Sequence, residues 1–171
     1  MAKSILLTGH TGFLGSVIYQ ELKKEFNVVT MGRNESCDYI VDFLEWEGDL
    51  GLVEAVDTIV HVAGLAHNKA HSQEEMEKVN VKAVELLLKV AHLESIKNFI
   101  FISSVSVYGK DYGSDITEES HLDPQSNYGR SKRDSEILVS NWGGRDAHFL
   151  SLRLPLIVGP NPPGNLGRLI H

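Results

Sequence analysis

Three glycines, each separated from the next by two residues, constrain this chain more than any other feature. They lie in Leu7-Thr8-Gly9-His10-Thr11-Gly12-Phe13-Leu14-Gly15, directly behind the short apolar run from Ser4 to Leu7. That run predicts a buried strand. From Phe13 the period changes: Phe13, Leu14, Val17, Ile18 and Leu22 share one helical face, with Gln20, Glu21, Lys23 and Lys24 on the other. Strand, glycine-rich turn and helix N-terminus, in that order, make a cradle for phosphate. Glycine permits a tight turn and the close approach of an anion. The unpaired N–H groups at the positive end of the helix dipole then hold the anion. The first glycine makes the turn, the second leaves room for a pyrophosphate, and the third lets helix and strand pack closely.

The rest of the chain alternates in the same way. Further strands are predicted at Val28 to Met31, Tyr39 to Val41, Thr58 to Val62, Phe99 to Ser103 and His148 to Leu152. Helices are predicted at Leu50 to Val56, Gln73 to Ala91 and Tyr128 to Ser140. The strands are near-continuous apolar runs without alternation, as in a parallel sheet covered on both faces. The expected fold is therefore α/β: a Rossmann-type doubly wound parallel sheet with right-handed crossovers and helices on both faces. Ligands of such sheets sit at the carboxyl ends of the strands, near the switch in strand order. Residues 1–154 form one dinucleotide-binding domain in this reading. Residues 155–171, rich in proline and glycine, begin a second, substrate-binding region whose remainder is missing.

Bulk properties narrow the possibilities. The chain has 171 residues, of which 42% are apolar, enough for a single-domain core. No stretch approaches the roughly 20 apolar residues of a membrane span, and the N-terminus lacks the pattern of a signal peptide. The lone cysteine, Cys37, excludes an internal disulfide and fits the reducing cytoplasm. A net charge of −7 offers no field for nucleic acid, so an anionic ligand has to be attracted locally.

The chemistry concentrates near the end of the fifth strand. Ser103 and Ser104 close that strand, and Tyr128-Gly129-Arg130-Ser131-Lys132 opens the following helix. Tyr128 and Lys132 are four residues apart, which places them on one helical face about 6 Å apart. A neighbouring ammonium favours a phenolate and would lower the tyrosine below its usual value of about 10. Tyr128 is thus a candidate general base near neutral pH, and the Ser104 hydroxyl can orient the same substrate oxygen. His67 and His71, four apart, have no zinc-motif partner and imply no metal; His67 is a candidate substrate contact beside the site. His10, inside the glycine turn, is placed to touch phosphate.

Taken together, these pieces resemble the extended short-chain dehydrogenase/reductases, in the NAD(P)-dependent nucleotide-sugar epimerase/dehydratase branch. The matching pieces are Thr8 to Gly15, His61-Val62-Ala63-Gly64, Asn80, Phe101 to Gly109, Tyr128-x-x-x-Lys132 and Arg153-Leu154-Pro155. The resemblance implies a catalytic set of Ser104, Tyr128 and Lys132. It implies cofactor contacts from Gly9, Thr11, Gly12, Phe13, Leu14 and Gly15 in the turn. Asp42 would lie at the adenine, Ala63 and Gly64 along the cofactor path, Lys132 at the nicotinamide ribose and Pro155 near the nicotinamide, with Phe43, Ser103 and Tyr128 as further cofactor contacts. The implied substrate is a nucleotide-diphosphate sugar, in particular a UDP-sugar, and the implied assembly a homodimer.

Two departures narrow the subclass. Dehydratases and decarboxylases of this family carry an acidic residue just before the Val-Tyr-Gly stretch, where this chain has Val105 and Ser106. That disfavours dehydration and leaves 4-epimerisation or 4-keto reduction. After the second strand, NAD users tend to place an acidic side chain on the ribose hydroxyls; this chain has Met31-Gly32-Arg33-Asn34. A guanidinium at Arg33 suits a 2′-phosphate and favours NADP over NAD. Two other readings of the same residues are a non-catalytic NADP(H)-sensing module and a reductase of small carbonyl compounds.

Overall fold

The computed structural model describes residues 3–48, 51, 56–65, 71–110, 113–143 and 146–159. Its centre is a six-stranded sheet of β1 (Ser4–Thr8), β2 (Asn27–Gly32), β3 (Tyr39–Ile40), β4 (Thr58–His61), β5 (Asn98–Ser104) and β6 (His148–Leu154). All pairings are parallel, in the order β3-β2-β1-β4-β5-β6. The chain moves outward from β1 in one direction and then restarts on the other side with β4. The switch point, and hence the crevice, lies between β1 and β4. Every predicted strand is present within a residue or two of its expected bounds. The predicted helix at Leu50 to Val56 falls largely outside the described residues.

Helix α1 (Phe13–Leu22) covers one face of the sheet. There Ile18, Tyr19 and Leu22 pack on Ile5, Leu7 and Val60. Val17, expected on this face, is 59% exposed. The packed face is centred on Gly15 rather than on Phe13. A side chain at Gly15 would sit 2.0 Å from the Gly9 carbonyl oxygen, so its absence sets how α1 lies on the turn.

On the other face, α3 (Ala83–Leu93) and α4 (Asn127–Asn141) bury Leu6, Met31, Ile59, Phe99 and Phe101 with Leu87 and Val139. The expected single helix from Gln73 to Ala91 is corrected here. It starts at a capping box of Ser72 and Glu75, runs as α2 (Gln73–Met76), widens into a π-helical segment at Glu77–Lys82, and continues as α3. The widening coincides with Asn80, which is 1% exposed. Its carboxamide bonds both the N–H and the C=O of Leu65 and reaches Ser131 Oγ at 3.0 Å. Its own carbonyl accepts from the Ser135 hydroxyl at 2.8 Å, a bond made outside the helix.

Candidate active site

A cleft of about 820 Å³ opens at the carboxyl ends of the strands, over the switch point. Its floor is the glycine turn. Gly9 has φ +76°, and a Cβ there would lie 2.7 Å from the Ala63 nitrogen, so only glycine lets the β1 turn cross the end of β4. Gly12 is the N-cap of α1 and contributes no side-chain bond, and the first turn of the helix has no acidic residue. The leading N–H groups of α1 therefore face the cleft with a clear approach, which fits a pyrophosphate.

The turn is tied down from beneath. Thr8 Oγ1 accepts from the Val62 and Ala63 N–H groups at 3.2 and 3.1 Å and bonds His61 Nδ1 at 2.8 Å. With both acceptor positions of Thr8 occupied, its proton goes to Nδ1 and His61 carries its own proton on Nε2. His61 is 1% exposed and stacks on Phe101 at 5.9 Å. Burial, helped by the Lys132 charge, lowers its pKa to about 3, so the ring is neutral.

The fifteen residues assigned to the cofactor, from Gly9 to Pro155, all line this one cleft, as does Ser104. Arg33 and Asn34 stand together at the β2 end, and Arg33 is exposed and in no ion pair with a carboxylate among the described residues. Asp42 folds its carboxylate back onto the Leu44 N–H at 3.0 Å. His67 lies outside the described residues. His10 does not reach the cleft. Its ring packs on Tyr19 at 5.5 Å, and Nδ1 lies 3.8 Å from the buried Cys37 Sγ. Burial raises the Cys37 thiol above its ordinary pKa.

At the β5 end the reactive candidates converge. Ser126 caps α4 by accepting from the Gly129 N–H at 3.0 Å, which points the first turn, with Tyr128, at the cleft. Ser104 Oγ accepts from the Ser106 N–H at 3.1 Å and hydrogen-bonds Tyr128. Lys132 Nζ lies 5.9 Å from the Tyr128 ring centroid and 4.7 Å from that of Phe101, and donates to the Ile102 carbonyl at 2.9 Å.

The expected lowering of the Tyr128 phenol is corrected by this geometry. Burial raises its pKa above 10, and the Ser104 bond offsets only part of the rise. Lys132 is not among the groups that shift the phenol, and burial lowers its own pKa to about 8. Ser103, two residues along from Phe101 on the strand, turns its hydroxyl away from the cleft to Glu136.

Glu136 is the functional neighbour that motif reading missed. Arg153 grips it through Nε at 3.0 and 3.1 Å and Nη2 at 2.8 Å, then reaches Tyr108 Oη and the Glu118 carbonyl through Nη1. One signal was available: Glu136 continues the spacing of four from Tyr128 through Lys132, which put an acid on the site-facing side of α4.

A six-stranded sheet of this order, with a glycine cradle at its switch point, defines a Rossmann-type dinucleotide-binding domain. Residues 5–171 match the NAD dependent epimerase/dehydratase family, and the chain belongs to that family. It is 26% identical to an Escherichia coli O157:H7 enzyme, N-acetyl-alpha-D-glucosaminyl-diphospho-ditrans,octacis-undecaprenol 4-epimerase, over 99% of this chain and 54% of the relative. It is 29% identical to a Vibrio cholerae UDP-glucose 4-epimerase, over 100% of this chain and 57% of the relative. Among solved structures, MoeE5 in complex with UDP-glucuronic acid and NAD superposes with a TM-score of 0.85 at 27% identity, over 98% of this chain and 60% of that one. The chain thus spans about half the length of the curated relatives it matches. No helix among the described residues is long and apolar enough to cross a membrane.

Proposed function

We propose that this chain is the cofactor-binding part of an NAD(P)-dependent nucleotide-sugar 4-epimerase or 4-keto reductase, with Tyr128 as the general acid/base. Residues 1–154 are the cofactor domain in this reading, and 155–171 start the region that grips the sugar nucleotide. The observation that carries it is the meeting of Ser104, Tyr128 and Lys132 at one end of a cleft whose other end is a phosphate cradle. The likeness to enzymes named for UDP-glucose and bound to UDP-glucuronic acid supports a UDP-sugar as substrate.

The shared cleft and the family resemblance support the following roles. The cradle and the α1 N-terminus hold the pyrophosphate, Asp42 and Phe43 flank the adenine, and Tyr128, Lys132 and Pro155 bound the nicotinamide end. A nicotinamide held at this end would supply the hydride acceptor or donor for the reaction. Tyr128, held as an acid by burial, gives its proton to a C4 ketone in the reductive direction and takes one from the C4 hydroxyl in the other. Ser104 bonds the same oxygen and fixes its distance from the phenol. Lys132 brings positive charge under the ring, which favours the phenolate when the proton leaves.

Tyr128→Phe keeps the packing and removes the proton. In the full-length protein it should cut turnover on a UDP-sugar by roughly 10²–10⁴-fold while cofactor affinity barely moves; near-normal turnover would overturn the assignment. The NADP preference rests on Arg33. Calorimetric titration should give tighter binding of NADPH than NADH, and Arg33→Asp should reverse the order. Equal affinities in the unsubstituted chain would remove the role given to Arg33.

A further inference from the structure

Lys132 poses a question that the catalytic reading leaves open. Its side chain belongs to a residue only 4% exposed, yet no carboxylate lies within ion-pair distance of Nζ among the described residues. A buried ammonium without compensation loses its proton. What Lys132 has is one carbonyl, Ile102 O at 2.9 Å, and the faces of Phe101 and Tyr128.

We propose that Glu136 is a positioning residue for Lys132: clamped between Ser103 and Arg153, its carboxylate is the counter-charge, one turn along α4, that keeps the buried ammonium cationic beneath Tyr128. The significance for catalysis rests on the roles proposed above for Tyr128 and Lys132; the charge relation itself does not.

Three observations support it. First, Glu136 is 7% exposed, so its field reaches Lys132 through protein rather than water. Second, its place is over-determined. Ser103 from β5 donates to Oε1, and Arg153 from β6 donates to both oxygens. Third, among the described residues no other acid pairs with Lys132 or shifts its pKa. From β4 comes His61, neutral and with its proton on Nε2. From the π-helical segment comes the uncharged Asn80, whose Oδ1 lies beside the same Gly64 position as Nζ. From β5 come the Ile102 carbonyl and the Ser103 hydroxyl, and from β6 the Arg153 cation, already paired with Glu136. On α4 itself stand Tyr128 and Glu136. Glu136 is also the group whose charge opposes the effect of burial on Lys132.

The clamp has a second consequence. Arg153 is shared, so Lys132 feels a carboxylate partly neutralised by a guanidinium. Removing the acid and removing the guanidinium should therefore move Lys132 in opposite directions. A merely structural brace would move it the same way in both.

The test is a carbon-13 NMR titration of this chain labelled at lysine Cε, with the Lys132 signal identified by its loss in Lys132→Met. In the unsubstituted chain the midpoint is expected near 8. Glu136→Gln, which keeps the shape and part of the hydrogen bonding, should lower the midpoint by about one pH unit. Arg153→Met, which removes the guanidinium that partly neutralises the carboxylate, should raise it. An unchanged or higher midpoint in Glu136→Gln overturns the proposal, as does a fall in Arg153→Met. If the glutamine variant does not fold, the methionine variant still decides by its sign. No turnover is read, so a failed Tyr128→Phe assay would sink the catalytic reading while leaving this result standing.

Discussion

The two faces of the sheet are unequally covered over its central strands, and both open at the edge strand β6, where Phe149, in register with Phe99 on the α3/α4 face, is 47% exposed. On the face under α3 and α4, Leu6, Ile59, Phe99 and Phe101 are sealed from solvent. On the α1 face, Ile5, Leu7 and Val60 are buried beneath the helix, but the cover ends before the sheet does. On β6, Leu150 and Leu152 pair in register with Ile100 and Ile102 and remain 49% and 37% exposed. Leu156 and Val158, just past the strand, are 72% and 67% exposed. The same strand sends Arg153 to the closed face, where it is gripped by Glu136. An apolar strand thus states only that both sides are to be buried; which side is buried depends on what the chain brings over it. The closed face also holds the chemistry. His61, Lys132 and Glu136 are all at most 7% exposed and all belong to it, and burial there lowers the pKa of both His61 and Lys132.

The largest expected effect separates the two faces directly. Phe99→Ala on the closed face should cost about 3–5 kcal/mol by chemical denaturation, through lost burial and a cavity. Leu150→Ala on the open face should cost under about 0.5 kcal/mol. Similar costs would mean that the β6 face is covered in solution.

A smaller effect comes from pH. His61 titrates at about 3 when folded against 6.5 when unfolded, so the unfolded chain binds the extra proton first. Its contribution is fully present above pH 6.5 and is lost as pH falls toward 3. About 2 kcal/mol should go between pH 7 and pH 5. His61→Gln should flatten that slope over the same interval. A slope equal in both proteins would show that His61 is not held neutral by the closed face.

The smallest effect on stability, and the sharpest on behaviour, concerns the open strip. Leu150→Ser with Leu152→Ser should leave the unfolding free energy within about 0.5 kcal/mol. It should also abolish self-association of the 171-residue chain, measured by light scattering. If the unsubstituted chain already scatters as a monodisperse monomer, the strip drives nothing.

Much of the site was legible because it is local. Gly9, Gly12 and Gly15 report a turn and a helix start that lie within nine residues of Leu7. Tyr128 and Lys132 report a helical repeat, and the observed 5.9 Å from ammonium to ring matches it. Less legible were features decided at a distance. Val17 is apolar and in phase, but the packed face of α1 is chosen by Gly15 meeting Gly9, so it points outward. His10 sits in the cradle sequence, yet Tyr19 and Cys37 draw its ring away. The π-helical segment at Glu77–Lys82 has no periodic signature, because it coincides with a side chain that bonds Leu65 and Ser131 from far along the chain.

The sequence by itself determined the element order, the parallel doubly wound sheet, the phosphate cradle and the pairing of Tyr128 with Lys132. Each of these follows from hydrophobic period, glycine placement or helical spacing within a few residues. Only the tertiary structure decided how those groups are charged. Lys132 is lowered to about 8 and Tyr128 raised because β5 and α4 close over them, and Glu136 finds Arg153 because β6 is laid beside β5. Local pattern places a titratable group on a face. Its proton affinity is a sum over everything packed around it, and many of those neighbours are distant in sequence, as Ile102 is from Lys132 by 30 residues and Ser103 from Glu136 by 33.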